Sequence, residues 1–158
     1  MKSIDSWFDE YGESHQNPVN KVIHWICIPL IVFSLIGLLW SIPHDYFINI
    51  YAGEYSEYFN WASVFILLVV IYYIILSYKI ALGMILFSLF VLYGNNYIDN
   101  VMELWKVSLF IFVFAWIGQF IGHKIEGKKP SFFQDIQFLF IGPAWLLGFI
   151  YRKLNIKY

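Results

Sequence analysis

The chain has 158 residues, of which 60% are hydrophobic, 22% aromatic and only 13% charged. A soluble domain is about 45–50% apolar and about 25% charged, so this composition excludes that class and indicates one integral membrane domain. The net charge is −1 and the basic residues are scattered, which excludes a nucleic-acid partner. The single cysteine, Cys27, excludes an internal disulfide and is expected to be a buried small hydrophobic residue.

The N-terminal segment, residues 1–17, predicts an amphipathic helix at the membrane surface, because Trp7, Phe8 and Tyr11 recur at helical spacing. The first long apolar run follows polar and acidic residues instead of a basic start. We therefore expect it to stay as a membrane span and not to be cleaved as a signal peptide. Asn17 and Pro18 predict a helix start, with Asn17 as N-cap and Pro18 at the first helical position.

Four apolar runs predict membrane-spanning helices at about residues 22–40, 61–78, 80–96 and 104–122. Between them we expect a polar loop over 41–60, a turn at 77–79 and a loop that begins at 94–96. The last apolar stretch, 138–151, is short and contains Gly142-Pro143, which predicts either a helix pair that dips into the membrane or a kinked short span. The expected fold is an all-α membrane bundle of four spans plus this fifth segment.

The distribution of basic residues predicts the orientation of the bundle. With four spans, Lys21, Lys79 and the lysines after His123 lie on one side, and the acidic loop 41–60 lies on the other. Because cytoplasmic loops carry the excess of Lys and Arg, both termini are expected on the cytoplasmic side. This topology also brings His15, His24 and His123 to the same face.

Three of the four histidines lie in two polar motifs beside long apolar runs. His15 can fold back over the start of the helix that carries His24. His123 shares one helical face with Gln119, four residues before it, and with Glu126, three residues after it. An imidazole beside hydrocarbon is costly without a partner, and three of them with a carboxylate suit Fe(II), Mn(II), Zn(II) or Cu(II). The pattern predicts a metal site.

Each histidine taken alone is more simply explained by a hydrogen bond to a neighbouring group, so it is their convergence that favours a metal. His44, in the acidic loop on the opposite side, is expected to be solvated and serves as the control. Four histidines are too few for a membrane di-iron desaturase, which needs roughly eight. A non-catalytic metal- or haem-binding electron carrier, or a small transporter with a His/Glu proton relay, stays open as an alternative.

At these two motifs the sequence resembles the membrane family of 2-hydroxy fatty acid dioxygenases of fungi and bacteria. The resemblance spans essentially the whole chain. Its first block is Tyr11 followed by His15-x-Asn17-Pro18-x-Asn20-x-x-x-His24 and Pro29. Its second block is Trp116-Ile117-Gly118-Gln119-Phe120-Ile121-Gly122-His123, then a glutamate, a basic pair, Pro130, Asp135 and Pro143.

The resemblance implies an Fe(II) enzyme that uses O2 to shorten a 2-hydroxy fatty acid by one carbon in fatty-acid α-oxidation. His15, His24 and His123 would bind the iron, and the substrate would chelate it through hydroxyl and carboxylate while its tail lies between the helices. Glu126 is expected either to bind the metal or, as we favour, to support its ligands. The enzyme would lie in the cytoplasmic membrane of a bacterium or the endoplasmic reticulum of a eukaryote. Four further residues are expected to orient the imidazoles or to contact substrate: Asn17, Asn20, Gln119 and Asp135.

Overall fold

The computed structural model describes residues 2–50, 53–127 and 132–158, without the side chains of 48–50 and 132–137. Within these ranges the chain forms α-helices and one 3₁₀ turn and has no strand, which confirms the all-α fold class. The helices are α1 (Ile4–Glu13), α2 (Pro18–Trp40), α3 (Asp45–Ile50), α4 (Trp61–Leu76), α5 (Tyr78–Asp99), α6 (Leu104–Glu126) and α7 (Phe132–Lys153).

Three helices, α2, α5 and α6, are long and apolar enough to cross a membrane. The fourth predicted span, α4, is apolar but has 16 residues, about 24 Å at 1.5 Å per residue, against a hydrocarbon core of about 30 Å. Its outer face carries exposed side chains such as Leu67 and Leu68. The fold is therefore compatible with a membrane protein, and the count of four spans stays a prediction.

The turn predicted at residues 77–79 is present and consists of one residue, Ser77. Its backbone is extended, its N–H donates to the carbonyl of Tyr73, and its hydroxyl accepts from the N–H of Ile80. One residue thus ends α4 and caps α5, and the two helices pack as a hairpin.

The prediction of a loop that begins at 94–96 is wrong, because α5 continues to Asp99. Asn95 is buried, and its amide donates to the carbonyls of Phe33 on α2 and Val91 on α5. An amide nitrogen that donates to two carbonyls can lie inside a helix bundle, so the polar residues here do not mark a loop. The region 41–60 also differs from a plain loop, since it holds α3 and the 3₁₀ turn Ser56–Tyr58.

The last apolar stretch belongs to a single helix, α7, with Pro143 inside it, so the helix-pair alternative is wrong. The N-terminal segment is the predicted amphipathic helix, α1, and it packs against α7. Phe8 and Tyr11 are buried in one cluster with Ile141 and Trp145. The apolar face of α1 therefore covers protein, and its expected position at the membrane surface stays a prediction.

Glycines let α6 lie close against α2. A Cβ on Gly118 would fall 2.5 Å from the sulfur of Cys27, and one on Gly122 would fall 2.4 Å from Oδ1 of Asn20. Small residues four apart permit this close approach between membrane helices. The contact buries Cys27, as expected, and brings the end of α6 to the start of α2.

Candidate metal centre

The structure brings the three predicted histidines together. His15 lies in the link between α1 and α2, His24 in the second turn of α2, and His123 in the last turn of α6. One ring nitrogen from each lies within 4.8 Å of the others. His15 and His24 are each 1% exposed, and His123 is half-buried.

Hydrogen bonds define which nitrogens of two of these rings face the centre. Nδ1 of His15 lies 2.6 Å from the carbonyl oxygen of Tyr11, and Nδ1 of His24 lies 2.9 Å from that of Asn20. A carbonyl only accepts, so each Nδ1 carries a proton and donates it. Each neutral ring therefore has its lone pair on Nε2.

These two Nε2 atoms lie 2.9 Å apart. Two lone pairs at that separation repel each other unless a proton or a metal ion lies between them. Two imidazole nitrogens that bind one metal at about 2.1 Å and at right angles are about 3 Å apart. The donor set and spacing therefore fit a divalent transition metal, for which His123 offers a third nitrogen.

Aromatic rings hold the His15 ring in place. Tyr11 stacks on it with a centroid distance of 4.1 Å and an angle of 4° between the planes. The Trp145 ring packs beside it at 5.5 Å. A ligand fixed by packing and by an Nδ1–H hydrogen bond needs little reorganisation to bind a metal.

Glu126 contacts the start of α2 and lies outside the group of ligand atoms. Its carboxylate accepts from the backbone N–H of Gln16 at 2.7 Å and of Asn17 at 3.0 Å, and from the side-chain amide of Asn20 at 2.8 Å. A carboxylate at a helix N-terminus satisfies N–H groups that have no partner within the helix. Of its two expected roles, this geometry favours support of the helix that carries His24.

The side chains of Asn17 and Asn20 do not make the contacts with imidazoles that the sequence predicted. Asn17 accepts from the N–H of Val19 at 2.9 Å, which confirms it as the N-cap of α2, and its described bonds do not reach an imidazole. Asn20 does orient His24, but through its backbone carbonyl. The side chain of Asp135 lies outside the described residues.

The histidine cavity opens between these rings. The three histidines, Tyr11, Trp116 and Gln119 line it, and the rest of its wall is apolar. Oε1 of Gln119 and Nε1 of Trp116 are buried and have no hydrogen-bond partner among the residues that the structure describes. Gln119 was predicted for this site. Trp116 was missed as a site residue, although the spacing of Trp116, Gln119 and His123 by three and four residues places all three on one helical face.

His44 lies far from this centre. It follows the end of α2 at Trp40, which lies sixteen residues after His24, about 24 Å along the helix. Its Nδ1 is 3.1 Å from the carbonyl of Ile42. It therefore remains a suitable control.

Comparison with known proteins identifies a family and a relative. The family described as 2-hydroxy-palmitic acid dioxygenase Mpo1-like matches residues 1–154. The chain belongs to the Mpo1-like family. It is also similar to the 2-hydroxy-palmitic acid dioxygenase MPO1 of Saccharomyces cerevisiae, with 29% identity over 148 residues that cover 92% of this chain and 78% of that protein. No solved structure matches the chain.

Both matches support an enzyme, and they confirm the resemblance seen in the two histidine motifs. The matched region contains all three histidines of the centre as well as Trp116 and Gln119.

Proposed function

We propose that this protein is an Fe(II)-dependent dioxygenase that uses O2 to shorten 2-hydroxy fatty acids by one carbon. The observation that carries the proposal is the convergence of His15, His24 and His123 in one cavity. The family of this chain is named for a 2-hydroxy-palmitic acid dioxygenase. Three neutral nitrogen ligands suit Fe(II) and leave coordination positions open. When bound, the iron supplies the redox chemistry toward O2 that amino-acid side chains lack.

The protein itself prepares the ligands. The carbonyls of Tyr11 and Asn20 keep the protons on Nδ1, so that His15 and His24 direct their lone pairs to one point. The carboxylate of Glu126 holds the start of α2, and with it the carbonyl of Asn20, against the end of α6. This network orients the metal-binding nitrogens of the histidines and does not itself contribute a metal ligand.

The unpartnered atoms beside the histidines suit the head group of a 2-hydroxy acid. The indole N–H of Trp116 would donate to a carboxylate oxygen, and Oε1 of Gln119 would accept from the 2-hydroxyl group. A buried polar atom without a partner costs about 1–3 kcal/mol, which a bound head group would recover. This preference distinguishes a 2-hydroxy acid from an unsubstituted fatty acid.

For the pair formed by His15 and His24, the geometry disfavours the haem alternative. A haem held by these two rings would have to lie between their Nε2 atoms. The Nε2 atoms of His15 and His24 are only 2.9 Å apart. A visible spectrum of the purified protein tests this directly, since haem would give a strong Soret band.

The function is tested with protein purified without O2 in detergent and loaded with Fe(II). Incubation with 2-hydroxypalmitic acid and O2 is expected to yield a product one carbon shorter, and palmitic acid is expected to stay unchanged. Controls omit either O2 or iron. Failure of the iron-loaded protein to consume any 2-hydroxy fatty acid would refute the proposal.

We also propose that the site faces the cytoplasm. The centre lies at the end of the bundle where Lys21, Lys124 and Arg152 are found, and cytoplasmic ends carry such basic residues. Labelling of single cysteines introduced at position 21 and at the opposite end, at position 44, is expected to show them on different sides, with position 21 inside.

A further inference from the structure

A second cavity lies between α2, α4, α5 and α7 and is called the tail cavity here. Its polar lining is limited to Ser88 and Tyr73, and the hydroxyl of Tyr73 donates to the carbonyl of Phe140. The residues that line it are Val32, Leu35, Ile36, Phe65, Ile66, Val69, Tyr73, Met84, Phe87, Ser88, Val91, Leu139, Phe140 and Pro143. Its wall is therefore apolar and suits a hydrocarbon ligand.

The tail cavity adjoins the histidine cavity. Leu139 and Pro143 line both spaces. Proline has no N–H to donate to the carbonyl four residues earlier, here that of Leu139, so the helix is weakened between these two residues. The boundary between the cavities is therefore a small region of α7.

The two cavities follow one another along α2. His24, Ile28 and Ile31 line the first, and the lining continues through Val32 to Ile36 in the second. His24 and Ile36 are twelve residues apart, about 18 Å along the helix. Since two leaflets of acyl chains make a hydrocarbon core of about 30 Å, one long-chain tail spans about 15 Å. The path from the histidines to the far end therefore matches a long acyl chain.

The far end of the tail cavity lies against a buried cluster. Ile36 and Val91, which line the cavity, belong to this cluster together with Trp40, Ala62 and Leu104, which do not line it. Every residue that lines the tail cavity is buried or half-buried.

A third cavity is more open to the outside. It shares Ile28 and Pro143 with the histidine cavity, but it is also lined by Trp25 and Ile150, which are 41% and 43% exposed. A lipid from the bilayer can enter that space from the side. The tail cavity is the better enclosed of the two and is the one that a substrate tail of limited length would fill.

We propose that the acyl tail of the substrate binds in the tail cavity, with its end against Phe65 and Val91, and that this end limits the chain length. The inference deepens the proposed function and rests on it for the identity of the ligand. The tail thus lies inside the protein, and the head group lies at the histidines.

A photoreactive ligand tests the position of the tail without any turnover. A 2-hydroxypalmitic acid analogue with a diazirine at the end of its chain is irradiated with the protein in detergent, and the labelled residues are mapped by mass spectrometry. Label is expected on the segments around Phe65 and Val91. Label on Trp25 and Ile150 instead would place the tail in the third cavity and overturn the inference.

Substitutions that fill the cavity test its control of chain length. Ser88→Leu and Val91→Phe each add volume at positions that line only the tail cavity among the three. Each is expected to lower the ratio of kcat/KM for 2-hydroxypalmitic acid to that for 2-hydroxydecanoic acid by at least about tenfold. The reason is that the larger side chain occupies space that only the longer tail needs, and forcing both into that space is costly. Leu89→Phe, on the exposed outer face of the same helix, is the matched control and should leave the ratio unchanged.

Retained turnover of the shorter acid shows that the filled variants are folded. If both stay active with an unchanged ratio, the tail lies elsewhere. If the wild-type protein is labelled in the tail cavity but consumes no 2-hydroxy acid, the proposed binding site for the tail stands and the proposed function is refuted.

Discussion

At the scale of single residues, the centre depends on backbone carbonyls as much as on side chains. In His15 and His24, Nδ1–H donates to a main-chain oxygen and Nε2 faces the other ring. The histidines themselves were predictable, because imidazoles are rare beside apolar runs. The carbonyl partners were not, since every residue has one and only the fold selects Tyr11 and Asn20.

Trp116 provides a prediction for substrate binding. Trp116→Phe keeps an aromatic ring but removes the indole N–H that has no partner among the described residues. The loss of a hydrogen bond to a carboxylate, about 1.5–3 kcal/mol, should lower kcat/KM for 2-hydroxypalmitic acid by roughly 10–100-fold, mainly through KM. Iron content should not change, and a variant without iron would show instead that Trp116 supports the metal ligands.

Glu126 provides a second prediction. Glu126→Gln keeps one acceptor oxygen but loses the charge that holds two N–H groups at the start of α2. Activity should fall by about 10–100-fold while a measurable part of the iron is retained, as expected of a residue that positions a ligand. Elemental analysis checks this, and complete loss of iron would identify Glu126 as a ligand.

At the scale of helices, periodicity and caps predicted most of the fold. The apolar runs, the start of α2 at Asn17 and the break at Ser77 are all present. Features that depend on which helices meet were missed. The side-chain N–H of Asn95 donates to a carbonyl of α2, and α7 covers the apolar face of α1. Neither partner is visible in the local sequence.

The close contact of α6 with α2 provides a prediction at this scale. Gly122→Ala places a Cβ 2.4 Å from Oδ1 of Asn20, so the helices must shift apart next to His123. The affinity for Fe(II) is expected to fall about tenfold or more, with a stability loss of about 1–3 kcal/mol. Gly12→Ala is the control, because its Cβ would meet only an ordinary contact at 3.8 Å.

The loss of iron affinity can be separated from the loss of stability. Fe(II) is titrated into protein that thermal unfolding shows to be folded. A Gly122→Ala protein with wild-type iron affinity would mean that the centre tolerates a shift between α2 and α6.

At the scale of the whole molecule, the fold gathers the polar chemistry at one end and the apolar space behind it. The histidines, Trp116 and Gln119 lie around the first cavity, and the tail cavity continues from it toward the opposite end of the bundle. This arrangement suits an amphiphilic substrate with a polar head and a long tail. His44 lies at the opposite end, beyond that path.

The iron content of histidine variants tests the central claim most directly. Wild type, His15→Ala, His24→Ala, His123→Ala and His44→Ala are purified without O2, loaded with Fe(II), desalted and analysed for iron per chain. The account predicts about one iron in wild type and in His44→Ala, and a loss of most iron in each of the other three. Iron retained by all three of those variants, or lost from His44→Ala as well, would contradict it.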